Sequence, residues 1–600
     1  MSLAIALANG VFSARYGGRS AASDGDSKLK GERKSRAMSA NGDEGEWMQR
    51  ARKLANQRAA QFRKERGAPP VAPAPWRRKR KTEKGDEAAN AEWRSAARAY
   101  DDLPGRRVSE DEEEMTAAAG DGLWRVDMAG LSEEDWATQW TMTLEEWRVV
   151  KKDVSANART PSEALRGFED AGLRRVSPDI AAGMLRVVAD KAKSSRADRE
   201  ELAGLRRDSR VAHLIGTCVA AARRGSEALA PASASSAAWA VALIAGERAN
   251  AAEMEVLAER CAVLVDAMTP RQTADLAWAL ASCRHSSRAV FRALDARFAS
   301  DAGLAKYKPY DVSTLAWAFA HLGGGGAGFV DGLDRWFSGG VNVEEVAMLG
   351  SPEADAELAA TASKNARTFT PHALAATAWG LTVLGGDATR SFSFRAVWAE
   401  LARRGSEIDS DESSDESSDS SDGVSDATRV THGPWMGKHL NQIHQAIVSV
   451  DALGGPEASG LVALPASLVA AAEAAWTAQR RPPVTSWYQR DVASILSYMG
   501  AKHEEEATCA GYRVDLLIPD ARALLGEARP VAVEVDGPSH FARNDPSVAL
   551  GQTRLKHRQL RALGFAVLSV PVADWEYLET SEEKVEYLRE GFDAAAASEA

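Results

Sequence analysis

The chain has 600 residues, 45% of them hydrophobic, which is more than one core usually serves, so we expect a multidomain protein. Its four cysteines lie far apart with no Cys-x-x-Cys pair, which argues against a disulfide framework and against a zinc finger. The net charge of −11 argues against a uniformly basic nucleic-acid-binding protein, and proline and hydroxyl residues in the longest uncharged runs (228–246 and 368–386) argue against a membrane partner.

The N-terminal 115 residues predict a targeting signal followed by a basic arm. Residues 1–23 carry Arg15 and Arg19, four serines and no acidic residue. This composition is typical of a transit peptide for a mitochondrion or a chloroplast, and the alternative is an ordinary disordered terminus. Residues 24–115 are rich in Lys, Arg, Ala, Gly and Pro, which predicts a disordered, solvated basic arm.

Residues 120–170 predict a helical cap on the region that follows. Ser132 precedes three acidic residues in the pattern of a helix N-cap, and Trp136 and Trp140 are one helical turn apart. Together with Trp124 and Trp147, these tryptophans are expected to pack on the first helices of that region.

The segment 175–480 contains a repeated motif. Four Ala-Trp copies are centred on Trp239, Trp278, Trp317 and Trp379. The first three tryptophans are 39 residues apart, and the segment 341–364 is expected to lengthen the fourth interval as an inserted loop. A fifth, weaker copy has Val448 at the tryptophan position. Two helices fit this period, and because one pair cannot bury its own apolar face, we expect an all-α helical-repeat solenoid.

The same motifs predict where the repeat helices begin and end. Polar residues that suit helix N-caps precede the tryptophans at Thr273, at Asp311 or Ser313, and at Thr370. Leu-Gly pairs that suit C-terminal caps end at Gly323, Gly385 and Gly454. The apolar sequence around the tryptophans predicts core positions between repeats, and the alternative is stacking on a nucleobase. An acidic, serine-rich insertion at 405–428 is predicted to be disordered.

The repeats resemble octotricopeptide repeats and the related repeats of the Fas-activated serine/threonine kinase family. The resemblance rests on the period and on the Leu-Ala-Trp-Ala-x-Ala-x-Leu-Gly core, and it covers residues 175 to 460 patchily. Both families are associated with organellar RNA, so the resemblance implies RNA as a partner. The sequence has no kinase Gly-rich loop and no His-Arg-Asp motif, so no kinase activity is implied.

Residues 484–592 predict a small α/β domain. An amphipathic helix over 486–498 is followed by a turn at Gly500 and an acidic segment. Three apolar segments then predict strands, with a basic helix between the last two, at 512–518, 531–537 and 566–571.

This domain resembles the RAP domain. The resemblance rests on Asp515, Glu534-x-Asp536, His540 and Lys556-x-Arg558. The same plan resembles very short patch repair endonucleases, which implies a restriction-endonuclease-like fold. In that fold an Asp on one strand and a Glu-x-Lys on the next hold magnesium and activate water. Here position 536 is Asp, where those nucleases usually have Lys.

Two interpretations of this site remain open. In a nuclease, Asp515, Glu534 and Asp536 would hold a magnesium ion, Lys556 or Arg558 would supply the missing positive charge, and His540 would orient a phosphate or ligate the ion. In a binding module, the carboxylates would be inherited fold positions, no cofactor would be required, and RNA would be bound by His540, Arg554, Lys556 and Arg558. We favour binding over cleavage.

The sequence therefore predicts an RNA-binding protein of a mitochondrion or a chloroplast that acts in RNA processing, stability or translation. Its partners would be single-stranded or structured organellar RNA and other RNA-processing proteins, without a membrane. The alternatives are a magnesium-dependent endoribonuclease guided by the repeats, and a protein-interaction scaffold, which the net acidity favours.

Overall fold

The computed structural model describes residues 142–597, with gaps at 174–175, 226–227, 301–302, 323–325, 350, 412–430, 433–434, 479–484, 510 and 527–528. The predicted transit peptide, the basic arm, and most of the acidic insertion lie outside the described residues, as do Trp124, Trp136 and Trp140. The first residues of the predicted insertion, 405–411, are helical, so the prediction of disorder was wrong for them. The described chain is mostly helical and ends in a small sheet region. None of the described helices is both long and apolar enough to cross a membrane.

The first described helices pack against one another. They are α1 (Leu144–Asn157), α2 (Pro161–Asp170) and α3 (Pro178–Ser195). Trp147 of α1 lies against Phe168 of α2, with ring centroids 5.8 Å apart. Its indole also lies so close to Gly183 of α3 that a Cβ there would meet the ring at 2.6 Å. In the predicted cap segment, Trp147 thus packs on α3.

The helices that follow form two rows. In chain order they are α4 (Arg199–Arg207), α5 (Ser209–Arg224), α6 (Pro231–Ala245), α7 (Ala251–Ala262), α8 (Pro270–Ser282), α9 (Arg288–Ala299), α10 (Pro309–Leu322), α11 (Ala327–Phe337), α12 (Val343–Leu349), α13 (Pro352–Arg367), α14 (Pro371–Leu384), α15 (Phe392–Asp411), α16 (Gly437–Ala452), α17 (Gly455–Ala458) and α18 (Ala466–Ala478). In the inner row, each helix contacts the next in the order α3, α6, α8, α10, α14, α16. The outer row follows in the same way through α5, α7, α9, α11, α15, α18. A short hairpin precedes α16, formed by β1 (Thr431–His432) and β2 (Trp435–Met436).

The tryptophans of the repeat occupy equivalent positions in the inner row. Four of its helices begin with a proline and carry a tryptophan eight residues later, at Trp239, Trp278, Trp317 and Trp379. Trp239 and Trp379 are buried, as predicted for core positions. Trp278 and Trp317 are only partly buried, so the core prediction is correct for them only in part.

The predicted helix starts are correct in one of three cases. Thr370 caps α14 through its side chain, as expected. Thr269, rather than Thr273, caps α8, and α10 begins before both Asp311 and Ser313. In both helices a proline occupies the first position, where its fixed φ and missing N–H suit a helix start. The prolines were therefore the better signal.

The segment 341–364, predicted as an inserted loop, is largely helical, so that prediction was wrong. It contains α12 and most of α13, and α13 begins with Pro352 after Ser351, whose side chain caps the helix. Leu358 and Ala362 of α13 are buried, and the helix packs on α11 and α15. An interval between motifs gives the number of extra residues but not their conformation.

The C-terminal module, which we define as residues 485–597, is built on a four-stranded sheet. Its strands lie in the order β3 (Glu504–Cys509), β4 (Tyr512–Ile518), β5 (Val531–Asp536) and β6 (Ala566–Pro571). Strand β4 runs antiparallel to both β3 and β5, whereas β5 and β6 are parallel. The flanking helices are α19 (Trp487–Tyr498), α20 (Arg522–Leu525), α21 (Gly551–Ala562), α22 (Val572–Trp575) and α23 (Ser581–Ala597).

All three predicted strands are confirmed, but β3 was missed. The acidic sequence from Glu504 to Glu506 has the polarity of a loop. Because β3 lies at the edge of the sheet and is largely exposed, its polar side chains can stay in water. Polarity alone therefore does not separate an edge strand from a turn.

The alternation of β5 decides which of its residues face α21. The strand is buried along its whole length. Val533 belongs to the core that includes α19 and α23, whereas Ala532 packs with Leu560 of α21. Successive side chains of a strand point to opposite faces, so Glu534 and Asp536 share the side of Ala532. Both acidic residues thus lie on the α21 side of the sheet.

Helix α21 docks the module onto the inner row. It contacts α10, α14 and α16. Gly551 in its first turn is so close to the row that a Cβ would lie 2.1 Å from Ala320 O and 2.9 Å from Val383 Cγ1. One turn later, Leu555 is fully buried in a cluster with Trp379 and the same two residues. The contact therefore requires glycine at position 551.

Two arginines of α21 bind the ends of inner-row helices. Arg554 Nη2 donates to Ala320 O in the last turn of α10 at 3.1 Å, and Arg558 Nη1 donates to Val383 O in the last turn of α14 at 3.0 Å. Carbonyls in a last helical turn lack intrahelical partners and carry partial negative charge, so guanidinium groups suit them. Gly385 follows α14 with a φ of +68° and leaves room for Arg558 Nη1, which a Cβ would meet at 2.4 Å.

A buried polar network joins the same surfaces. Gln559 Nε2 of α21 donates to Gln445 O and to Ser449 Oγ in α16, both at 2.6 Å. Tyr512 of β4 donates its hydroxyl to Gln559 Oε1. Trp379 Nε1 of α14 donates to Gln445 Oε1 at 2.7 Å. Buried polar groups cost free energy unless they are paired, so this network fixes one arrangement of the two surfaces.

The loop after β5 extends the docking to earlier inner-row helices. Asn544 Oδ1 accepts from Ser286 N, and its Nδ2 donates to Ser286 O, both at 2.8 Å. Arg543 N donates to Arg284 O at 2.8 Å, and Arg543 Nη1 donates to Ala249 O at 2.9 Å. The module thus contacts the chain at or beyond the C-terminal ends of α6, α8, α10 and α14.

Candidate functional site: a cleft between the inner row and the module

A cleft of about 880 Å³ lies between the inner row and the C-terminal module. Its inner-row wall includes the aromatic residues Trp278, Tyr310, Trp317 and Trp379. Its module wall includes Glu534, Asp536, His540 and Lys556. Ligand pockets commonly measure about 300–1,000 Å³, so the cleft has room for a small ligand or for part of a chain.

Three positions in each of the helices α10, α14 and α16 line the cleft. In each helix these are the second, sixth and ninth residues, which lie on one helix face. They are Tyr310, Thr314 and Trp317; His372, Ala376 and Trp379; and Lys438, Gln442 and Gln445. Sequence reasoning missed most of them, although counting from the first helical residue would have found them.

The fifth copy of the repeat was aligned incorrectly. Val448 was expected at the tryptophan position, but the ninth residue of α16 is Gln445, and it is Gln445 that lines the cleft and contacts Trp379. The error arose because the copies were matched at their Leu-Gly ends, and α16 is 16 residues long whereas α14 has 14.

Glu534 and Lys556 form a partly buried ion pair at the floor of the cleft. Lys556 Nζ lies 2.6 Å from Glu534 Oε2, and Glu534 is only 2% exposed. Burial raises the pKa of Glu534 to about 8 and outweighs the opposing effect of the Lys556 ammonium. The second oxygen, Oε1, is buried and has no hydrogen-bond partner among the described residues. The floor therefore offers one unused acceptor beside a bound cation.

Asp515 is held by two donors. Val535 N donates to Oδ2 at 2.7 Å, and Gln489 Nε2 donates to Oδ1 at 2.5 Å. Burial raises the pKa of Asp515, although the Val535 N–H and the Lys556 ammonium act in the opposite direction. Both oxygens of Asp515 thus tie β4 to β5 and to α19.

Asp536 is surrounded by a serine and two histidines. His540 Nδ1 lies 2.9 Å from Oδ1, Ser569 donates its hydroxyl to Oδ2, and His557 Nε2 lies 3.7 Å from Oδ2. Burial opposes ionisation of Asp536, but these neighbours lower its pKa below the usual value. The contact with Asp536 raises the pKa of His540. Asp536 is therefore an ionised acceptor held within the module.

The three carboxylates do not fit a magnesium ion as arranged. Among the described residues, no group of three or more His, Cys, Asp or Glu side chains is placed to hold a metal ion. Both oxygens of Asp515 accept hydrogen bonds, Ser569 donates to Oδ2 of Asp536, and His540 Nδ1 lies 2.9 Å from its Oδ1. Magnesium takes oxygen ligands in a nearly ideal octahedron, so these side chains would have to be released first. In this arrangement Asp515, Glu534 and Asp536 do not make a ready magnesium site, so no catalytic step is derived from them, and their role as metal ligands stays a prediction.

The four residues predicted to bind RNA fall into two groups. His540 and Lys556 line the cleft. Arg554 and Arg558 instead donate to main-chain carbonyls of α10 and α14, so they hold the module on the inner row. A basic helix in a sequence does not distinguish an arginine that binds a helix end from one that meets phosphate.

Two histidines beside the docking surface predict sensitivity to acid. Burial lowers the pKa of His321 and of His557 to about 4, against 6.5 when unfolded. The neutral imidazole is thus favoured in the folded protein, so its contribution to stability is present above pH 6.5 and is lost as the pH falls toward 4. We expect the midpoint of urea unfolding to fall over this range.

The variant His557→Gln should reduce this loss, whereas His503→Gln, at the start of the edge strand, serves as the matched control. Urea titrations at pH 7, 5.5 and 4.5 compare the variants. Equal acid dependence in wild type and His557→Gln would contradict the assignment to His557.

Comparison with known proteins assigns this module. Residues 533–590 match the model of the RAP domain, so the chain carries a RAP domain near its C-terminus. That match includes Glu534, Asp536, His540 and Lys556 but not Asp515. The "RAP domain-containing protein, chloroplastic" of Oryza sativa subsp. japonica is 25% identical over 462 residues, which cover 75% of this chain and 66% of that relative. The chain thus spans just under two thirds of the relative's length, and the similarity reaches beyond the RAP domain into the helix rows.

Proposed function

We propose that this protein binds single-stranded RNA along the inner row and in the cleft. It acts in the processing, stability or translation of an organellar transcript. The observation that carries the proposal is the cleft itself, where aromatic rings of the inner row face charged groups of the RAP domain. Unpaired bases stack on aromatic side chains, each stack contributing about 1–3 kcal/mol, and lysines meet phosphate.

The two rows support a finer proposal about the fold. Each helix contacts the next one of its row, which supports an α-solenoid, and we propose that its repeats are of the octotricopeptide type. Solenoids bind extended ligands along one face, and the inner row supplies such a face. We propose that the module has a restriction-endonuclease-like fold and serves binding rather than cleavage.

The RAP domain and the relative also support the partner and the compartment. RAP domains typically bind RNA. The relative's name describes that protein as chloroplastic, so we place this chain in an organelle, a chloroplast or a mitochondrion. Other RNA-processing proteins are proposed as further partners.

Binding of the purified full chain to a fluorescent, unstructured RNA tests this function. We expect the single strand to bind more tightly than its duplex, and the affinity to fall as salt rises from 50 to 200 mM, because phosphate contacts release counterions. We also expect the RNA to stay intact with magnesium, with manganese, or with a chelator.

Other outcomes would replace the proposal. Cleavage that needs a divalent metal and disappears in Glu534→Gln would establish a ribonuclease. Absence of binding to any RNA, with proteins captured from organelle extract, would establish a scaffold instead.

A further inference from the structure

The floor of the cleft contains a buried hydrogen-bond acceptor that has no donor among the described residues. Glu534 Oε1 is a buried acceptor with no donor among the described residues, and Lys556 Nζ stands beside it on the other oxygen. A buried polar atom left without a partner destabilises the protein, because it has lost its hydrogen bonds to water. A ligand that brings N–H donors to this point would remove that cost.

The opposite wall offers flat aromatic surfaces. Tyr310 is 49% exposed, and the Arg271 guanidinium lies over its ring, 4.9 Å from the centroid. Trp317 is partly exposed and stacks on His321, with ring centroids 5.0 Å apart and planes 16° apart. Tyr310 and Trp317 both line the cleft and stay partly exposed, so a planar ligand can stack on the ring surface that Arg271 and His321 leave uncovered while its edge points to the floor.

The cleft also has an exposed lysine on the inner row. Lys438, the second residue of α16, lines the cleft and is exposed. These three features match the three parts of a nucleotide. The aromatic wall can stack on the face of the base, the Glu534–Lys556 pair can bind its edge, and Lys438 can bind the phosphate.

We propose that the cleft binds one unpaired guanine nucleotide. Guanine has two adjacent N–H donors on its Watson–Crick edge next to a carbonyl oxygen. The two donors would meet the oxygens of Glu534 and hold this group as the ionised carboxylate, because hydrogen bonds to the charged form oppose the effect of burial on its pKa. The carbonyl would meet Lys556 Nζ. Uracil brings one donor between two carbonyl oxygens, which repel a carboxylate, and adenine and cytosine bring a single amino group beside a ring acceptor. This inference rests on the proposed function only in that the nucleotide belongs to the bound RNA.

Titration of the full chain with guanosine and uridine monophosphates, followed by tryptophan fluorescence, tests the inference. We expect guanosine monophosphate to bind about tenfold or more tightly than uridine monophosphate, because a two-donor contact to a base edge discriminates against bases that lack the second donor. Glu534→Gln should abolish this preference, because an amide offers one acceptor and one donor group where the carboxylate offers two acceptors.

A second variant tests the site independently, in case Glu534→Gln disturbs the fold. Tyr310→Ala removes a half-exposed ring, so the fold should persist while both nucleotides bind several-fold more weakly. Tyr577→Ala is the matched control, because Tyr577 is 44% exposed and does not line the cleft. Unaltered binding in Tyr310→Ala would overturn the stacking wall.

Parallel measurements with RNA separate this inference from the proposed function. RNA binding without any preference for guanine, in oligonucleotides or mononucleotides, would overturn the guanine site and leave the function standing. Selective binding of guanosine monophosphate without RNA binding would keep the site and overturn the function. Equal binding of the two mononucleotides by the wild type would overturn the guanine assignment in either case.

Discussion

Replacement of Gly551 with alanine should detach the C-terminal module from the inner row. A Cβ at this position would lie 2.1 Å from Ala320 O, a main-chain atom of a packed helix that has little freedom to move. Overpacking of this kind costs about 1–3 kcal/mol, and more when backbone must shift. We expect the melting temperature to fall by several degrees and RNA affinity to fall with it, because the cleft needs both walls.

A glycine elsewhere in the rows provides the control. Gly216 lies in the middle of α5, and no atom lies within 4 Å of the position of an added Cβ. Gly216→Ala should stabilise the protein by up to about 1 kcal/mol, since alanine favours helix over glycine. Similar melting curves for Gly216→Ala and Gly551→Ala would contradict the close approach of Gly551 to Ala320.

Replacement of Trp379 with alanine should give the largest loss of stability. The side chain is 2% exposed, packs on Leu555 of the module, and donates its indole N–H to Gln445 Oε1. Removal of a buried tryptophan costs about 3–5 kcal/mol, and the amide of Gln445 would lose a buried partner as well. Urea unfolding followed by circular dichroism measures the change.

The equivalent tryptophan of an earlier helix is the matched control. Trp278 occupies the same place in α8 but is only partly buried. Trp278→Ala should therefore cost less stability than Trp379→Ala while weakening RNA binding, because its ring lines the cleft. A larger loss of stability at Trp278 than at Trp379 would contradict the positions assigned to them.

The features that sequence predicted well are those that local chemistry decides. The 39-residue spacing of Trp239, Trp278 and Trp317 follows from one helix pair per repeat, and the apolar runs of β4, β5 and β6 follow from strands buried in a sheet. Glu534 and Asp536 were expected together because residues two apart on a strand share a face.

The features that sequence did not predict depend on distant contacts. Arg558 finds its acceptor at Val383, 175 residues away, and Gln559 finds Gln445 at a distance of 114 residues. No local pattern encodes such a pairing, so docking arginines were taken for phosphate-binding ones. The cleft forms only when the C-terminal module docks on the inner row. Without that contact in view, the sequence predicted core positions for Trp278 and Trp317, which line the cleft.

The predicted metal site shows the same limit within the module. The predicted strands implied that Asp515, Glu534 and Asp536 lie close together. Whether these carboxylates can coordinate a metal depends on the hydrogen-bond donors that already contact them. Gln489 of α19 and Ser569 of β6 take oxygens of Asp515 and Asp536. Their part in the site is visible only once the sheet and its helices are assembled.

Mapping of ultraviolet crosslinks between RNA and the full chain tests the central claim most directly, with crosslinked peptides identified by mass spectrometry. Our account predicts crosslinks to the cleft-facing positions of α8, α10 and α16 and to the RAP-domain segment between β5 and the middle of α21. Crosslinks confined to the outer row, or their complete absence, would contradict RNA binding by the inner row and the cleft.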